Sequence, residues 1–206
     1  MVLSKFVSHE GENSNRNIRD FLFTHLIQIL LIFYISHSNI FFQTAFELSD
    51  AGAKVDIPEE DGNTALLMAC QNGHTEIARD LIERGADVNH ENHNGVTALH
   101  KAVFNQKLDI VQLLLDSGAD INKETSAKDS PLHVAIQNAQ LDIVQLLVER
   151  GANLEQGDIK GWTPLIIAAY MNNLPALKYL LDKRVNIDAQ EHIGDTALIL
   201  AAQEGS

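Results

Sequence analysis

The sequence predicts an all-α fold, a solenoid of stacked helix–turn–helix units with protruding β-turn fingers. Two observations carry that prediction. The runs Thr64-Ala65-Leu66-Leu67, Thr97-Ala98-Leu99-His100, Ser130-Pro131-Leu132-His133, Thr163-Pro164-Leu165-Ile166 and Thr196-Ala197-Leu198-Ile199 each begin 33 residues after the last, without insertion. Other columns keep the same phase: Ala69, Ala102, Ala135, Ala168 and Ala201, and the pairs Gly52-Ala53, Gly85-Ala86, Gly118-Ala119 and Gly151-Ala152. A fixed period in this range marks an array of supersecondary units, none of which buries its apolar face alone.

Each element of the unit has a local cause. Thr or Ser followed by Ala or Pro reads as a helix start, a hydroxyl N-cap before a residue tolerated at N1. The helix that follows is short, and its alanines allow neighbouring helices to approach closely. A second helix shows apolar spacing, as in Ile110, Val111, Leu113, Leu114 and Leu115, or Ile143, Val144, Leu146, Leu147 and Val148. Gly85, Gly118 and Gly151 stand where that helix stops, suited to a left-handed C′ position. Val55-Asp56, Val88-Asn89, Ile121-Asn122 and Ile187-Asp188, with Leu154-Glu155 as a variant, then read as a turn whose apolar residue is tucked between units.

Three departures carry expectations. Arg184-Val185 replaces the Gly-Ala pair, at a cost of about 1 kcal/mol if the helix still ends left-handed. Lys128 stands in the turn column of Gly62, Gly95, Gly161 and Gly194, so that finger is expected to be less typical. Gln106, Ala139 and Asn172 replace the inter-helix Gly73 and Gly205, which predicts strained or differently turned connections.

The period, the Thr-Pro-Leu-His-x-Ala core and the Gly-Ala-Asp-x-Asn ending resemble the ankyrin repeat over roughly 43–206. The resemblance divides the chain into a segment 1–42, a degenerate half repeat 43–58, full repeats 59–91, 92–124, 125–157 and 158–190, and a half repeat 191–206. It implies antiparallel helix pairs with a concave face that binds another macromolecule. It also implies that His100 and His133, at the motif position, bond between turns. Leu198, Leu200 and Ala201 are expected to face a missing neighbour, and the chain is expected to be a fragment, splice form or mispredicted product of a longer protein of this kind.

With 206 residues and 45% hydrophobic content, the chain is long enough to bury a core. The lone cysteine, Cys70, excludes an internal disulfide framework and fits a reducing, cytoplasmic setting. A net charge of -13 repels nucleic acid and anionic lipid. Residues 1–42 sum to zero, with Lys5, Arg16 and Arg19 against Glu10, Glu12 and Asp20, so the surplus lies in 43–206. Phe21 to Ile35 is a fifteen-residue apolar stretch, shorter than the ~20 residues a membrane span needs and broken by Thr24, His25 and Gln28. Three readings of it stay open: a helix capping the array, a membrane anchor, or a translated non-coding stretch.

No catalytic, cofactor or metal site is expected. His90 and His93 share a turn but lack further ligands at a plausible spacing. Cys70 aligns with Val103, Ile136 and Ala169 and reads as packing, and no Gly-rich phosphate loop occurs. The candidate residues are those of a protein-binding face, carried over from the resemblance: the turn tips and the exposed side of the first helix. Phe104, Trp162, Tyr170 and Met171 put large apolar groups there, accompanied by Lys160, His93 and Asn94. Asp61, Asp129 and Asp195, with Glu60, Asp158 and Glu191, make the tips acidic, so the partner is expected to be a protein with a basic or mixed surface. The chain thus reads as a monomeric, non-catalytic scaffold or adaptor. Alternatives are a membrane-tethered module anchored by residues 21–42, or the recognition part of a longer multidomain protein.

Overall fold

The computed structural model describes residues 40–205, which form helices and turns with a single isolated antiparallel bridge, Gln190 to Thr196. The apolar stretch 21–35 and the readings attached to it lie outside the described residues. The chain divides into two units, Met1–Lys54 and Val55–Ser206, each described by itself. In the first, helix α1 (Ile40–Asp50) ends in a left-handed turn at Gly52, φ +83°, closed by Ala53 N–H to the Leu48 carbonyl at 3.2 Å.

The second unit is an all-α repeat solenoid. Its helices pair as α2 (Ala65–Asn72) with α3 (Thr75–Glu83), α4 (Ala98–Phe104) with α5 (Leu108–Asp116), α6 (Pro131–Gln137) with α7 (Leu141–Glu149), and α8 (Pro164–Tyr170) with α9 (Leu174–Asp182). A further first helix, α10 (Ala197–Glu204), follows. First helices pack on first helices of the next repeat, and second helices on second helices, so the array has an inner and an outer row.

The helix starts follow the hydroxyl column. Thr97, Ser130, Thr163 and Thr196 have extended backbone and accept from the N–H three residues on, at His100, His133, Ile166 and Ile199. Thr64 departs from this: its Oγ1 is buried without a hydrogen-bond partner. Leu66, Leu99, Leu132 and Leu165 form the core column, 0–3% exposed, against 78% for Leu198 on α10. The other large exposed apolar residue of α10 is Ile199, whereas Leu200 is buried, because α10 packs on α8 and its Leu200 side is covered by the preceding repeat.

The connections keep one geometry whatever residue occupies them. Gln106, Ala139 and Asn172 have φ of +57°, +55° and +51°, in the left-handed region of Gly73 at +82°. The same closing bond recurs: N–H of His74, Lys107, Gln140 and Asn173 donates to the carbonyl of Ala69, Ala102, Ala135 and Ala168, at 2.8–3.1 Å. The turn is therefore strained and not differently turned. Lys128 (φ +60°) and Arg184 (φ +59°) likewise keep the finger turn and the helix stop of their columns. Lys128 N–H reaches the Thr125 carbonyl at 2.8 Å, as Gly161 N–H reaches Asp158 at 2.9 Å. Five non-glycine residues thus occupy a conformation costing roughly 1 kcal/mol or more each.

Polar rungs tie each repeat to the next. Side-chain oxygens of Asp56, Asn89, Asn122 and Glu155 accept from the backbone N–H of Asp87, Asp120, Asn153 and Asn186, at 2.7–3.0 Å. Glu155 does here what Asx does elsewhere. The histidines form a second set. His100 Nδ1 accepts from the Thr97 N–H at 3.3 Å, so its proton sits on Nε2, which donates to the Asp129 carbonyl at 3.2 Å. His133 repeats this with Ser130 N–H and the Gln156 carbonyl, at 3.0 and 2.9 Å. Burial lowers the His100 pKa to about 4 from its ordinary 6.5, against the opposing pull of its bond to the Asp129 backbone, and burial lowers His133 as well.

Two measurements test these assignments. Ala139→Gly removes a left-handed penalty without deleting a side-chain contact beyond one methyl, and should raise unfolding free energy by about 1 kcal/mol in denaturant titration; an unchanged or lower midpoint would show that the turn is unstrained. For the histidine rungs, the folded-state pKa of His100 lies below the unfolded value, so the unfolded chain takes up protons first. The stabilisation is complete above pH 6.5 and is lost as pH falls towards 4, by on the order of 3 kcal/mol for His100. Melting temperature should fall over that window, and His100→Ile, matching Ile166 in the same column, should flatten the upper part of the fall.

Candidate protein-binding surface

The finger column Asn63, Val96, Asp129, Trp162 and Asp195 stands eight residues ahead of the inner-helix column Gln71, Phe104, Gln137, Tyr170 and Gln203. The chain folds back between them, so the two columns meet within a repeat. Gln137 Nε2 lies 3.5 Å from Asp129 Oδ1, and the Trp162 and Tyr170 rings lie 4.7 Å apart, tilted by 57°. Lys160 Nζ sits 4.7 Å above the Trp162 ring, a cation–π contact. Trp162 and Tyr170 are half-buried and in contact with one another. Phe104 and Met171, at 62% and 49% exposure, contribute their faces to solvent.

Each finger is braced from inside by a side-chain oxygen at its first position. Asn92, Thr125, Asp158 and Glu191 each accept from the backbone N–H groups two and four residues on, at 2.8–3.3 Å. Glu59 accepts from Asn63 in the same way at 3.1 Å. Burial would raise the Glu59 pKa, but hydrogen bonds from the Asn63 side chain and the Asn63 and Asp61 backbone hold it below the usual carboxylate range. This column was not legible as a site: its members are Glu, Asn, Thr, Asp and Glu, alike only in carrying an acceptor oxygen. Asp158 and the buried Glu191 hold their own fingers together, each through one carboxylate oxygen that accepts from two backbone N–H groups.

Successive fingers are zipped edge to edge. The Asp61, Asn94, Ala127 and Lys160 carbonyls accept from the N–H of His93, Ser126, Ile159 and His192, at 2.9–3.1 Å. Gly161 is required here for space as well as conformation, since a Cβ would come within 2.7 Å of the His192 ring. Asp61 and His93 are thus brought together through backbone, with both side chains exposed, as is that of Asn94. Asp129 and Asp195 are half-buried on the fingers flanking Trp162. Half-burial pushes the Asp129 carboxyl above the ordinary aspartate value, His133 draws it down, and Asp158 pushes it further up. The His100 bond to the Asp129 carbonyl and the His133 bond to Gln156 set the bases of the two fingers that carry Asp129 and Trp162.

Among the described residues, no three His, Cys, Asp or Glu side chains are grouped so as to hold a metal ion. His90 Nε2 is engaged with the Gly62 carbonyl at 2.9 Å. Cys70 is fully buried, and burial pushes its thiol far above the range in which a thiolate forms. No helix among the described residues is long and apolar enough to cross a membrane.

Comparison with known families adds to this geometry. A family described as ankyrin repeats in three copies matches residues 31–125 and 132–206, and one described as ankyrin repeats in many copies matches 106–148. No curated protein matches the chain. Ankyrin repeats are generally protein-interaction modules and typically non-catalytic. The matched families, the 33-residue period and the paired inner and outer helices agree, and the chain belongs to the ankyrin-repeat family.

Proposed function

We propose that this chain is a non-catalytic scaffold or adaptor that recruits a protein through its finger and inner-helix face. The observation that carries the reading is the placement of Phe104 and Met171. Both are large, apolar and exposed, at positions the core does not use, on the same face as the Trp162–Tyr170 pair. Exposed aromatic groups beside preorganised rings supply the anchors of protein interfaces, often worth more than ~2 kcal/mol each. Lys160, His93, Asn94, Asp61, Asp129 and Asp195 form the polar rim, and the three aspartates favour a basic or mixed partner surface. The module acts as a monomer in the cytoplasm, and residues 43–58 serve as the second half of an earlier repeat.

Trp162→Ala with Tyr170→Ala tests the reading. The ring contact is worth about 0.5–1.5 kcal/mol beyond its area, so a modest fall in melting temperature is expected. Capture of partners by the tagged chain, read by mass spectrometry, should be lost at temperatures well below that melting point. Retained capture by the folded double variant would overturn the assignment of this face. Capture by the unmodified chain should also weaken as salt is raised, because the rim charges are screened; salt-independent capture would argue against the aspartate rim.

A further inference from the structure

Three successive repeats present chemically different groups along one strip. Repeat 92–124 offers Phe104, repeat 125–157 offers Asp129 beside Gln137, and repeat 158–190 offers Trp162 and Tyr170 with Met171 adjoining. The order is apolar, acidic, aromatic. Asp129 is half-buried, its one side-chain hydrogen bond is the 3.5 Å contact with Gln137, and the ion pairs among the described residues do not include it. A carboxylate partly withdrawn from water and unpaired gains from an incoming cation more than an exposed one does. Lys128, its chain neighbour, is exposed, and the Lys160 ammonium is turned onto Trp162.

Among extended conformations, the spacing favours one for what binds. The inner helices α4, α6 and α8 pack directly on one another, so Phe104, Gln137 with Asp129 beside it, and Tyr170 with Trp162 beside it follow one another at roughly 8–10 Å. A β-strand places alternate side chains on opposite sides, so one facing each repeat would be out of step with its neighbours. A polyproline II segment has three residues per turn and rises about 3.1 Å per residue, bringing every third side chain to the same face about 9 Å further on. It presents one side chain per repeat.

We propose that the strip from Phe104 across Asp129 to Trp162 and Tyr170 holds a protein segment in polyproline II conformation, of pattern apolar-x-x-(Lys or Arg)-x-x-apolar. The inference rests on the reading of this face as the binding face. The central base pairs with Asp129 between the two columns, and the flanking apolar side chains seat on Phe104 and on the Trp162–Tyr170–Met171 surface. Proline at the x positions strengthens binding, because a segment already in this conformation loses less freedom when it docks.

The test is a display library of random twelve-residue peptides panned on the full chain, followed by anisotropy with the fluorescein-labelled peptide Leu-Pro-Ser-Arg-Pro-Ser-Leu. Enriched peptides should carry Lys or Arg with apolar residues three positions to either side. The labelled peptide should bind about tenfold more weakly when its Arg is replaced by Glu, when one residue is inserted after it, or when the chain carries Asp129→Asn. Circular dichroism melting of Asp129→Asn, unchanged from the parent, separates lost contact from lost fold. A consensus without the central base, or equal binding by Asp129→Asn, would overturn the proposal. Failure to enrich any peptide would overturn it too, while leaving recruitment of a folded protein to the capture experiment. Peptides that bind the Trp162→Ala, Tyr170→Ala chain undiminished would show that the face itself is misassigned.

Discussion

Leucine at one place in five first helices is buried four times and largely exposed once, and the exposed one has no helix after its own among the described residues. Leu66, Leu99, Leu132 and Leu165 are covered by their own second helix and the next unit, whereas Leu198 on α10 has neither among the described residues. Burying such a side chain contributes about 1.5–3 kcal/mol. A single pair of helices, seven to nine residues each, cannot recover its ordering entropy from internal contacts. Stability is therefore a property of junctions, and everything else in the array answers to that.

Close junctions bring backbone polar groups out of water, and each must find a partner across the boundary. The Asx and glutamate rungs and the finger-to-finger carbonyls recur from boundary to boundary with different residues, and the His100 and His133 bonds add to them at two boundaries. Because several bonds define each turn, the turn tolerates the wrong residue. Gln106, Ala139 and Asn172 are held left-handed by a closing bond to the Ala column and by the helices on either side. Side chains are satisfied less completely: Gln140 is buried at the start of α7 with neither side-chain amide atom partnered. Asn173, one repeat on, donates to the Ile136 carbonyl and caps Ala176. One methylene separates a satisfied cap from an unsatisfied one.

The same bracing leaves the inner-helix and finger face free to vary. Positions inside the fingers are committed to acceptor oxygens, and positions under the inner helices are committed to Ala and Leu. What remains are the columns of Phe104 and Trp162, where Val, Asp, Trp, Gln, Phe and Tyr replace one another without disturbing the repeat. The Trp162 ring packs on Tyr170 and carries Lys160 above it, all within one repeat, so that side chain is held in place by its own repeat.

The period, the helix starts and stops and the Ala and Leu columns were readable from residue types, because each has a cause confined to one residue and its local backbone, whereas the exposure of Phe104 and Met171 was expected only from the positions the ankyrin resemblance gives them. A hydroxyl caps, glycine turns left-handed, leucine seeks burial. Those signals determined the ankyrin architecture. Only the tertiary structure decided that Glu59, Asn92, Thr125, Asp158 and Glu191 share one task, and that residues eight apart touch across a finger. It also decided that the non-glycine turns keep their shape under strain. In each case the outcome depends on which groups the folded backbone brings within contact distance, and that distance is not a property of any residue alone.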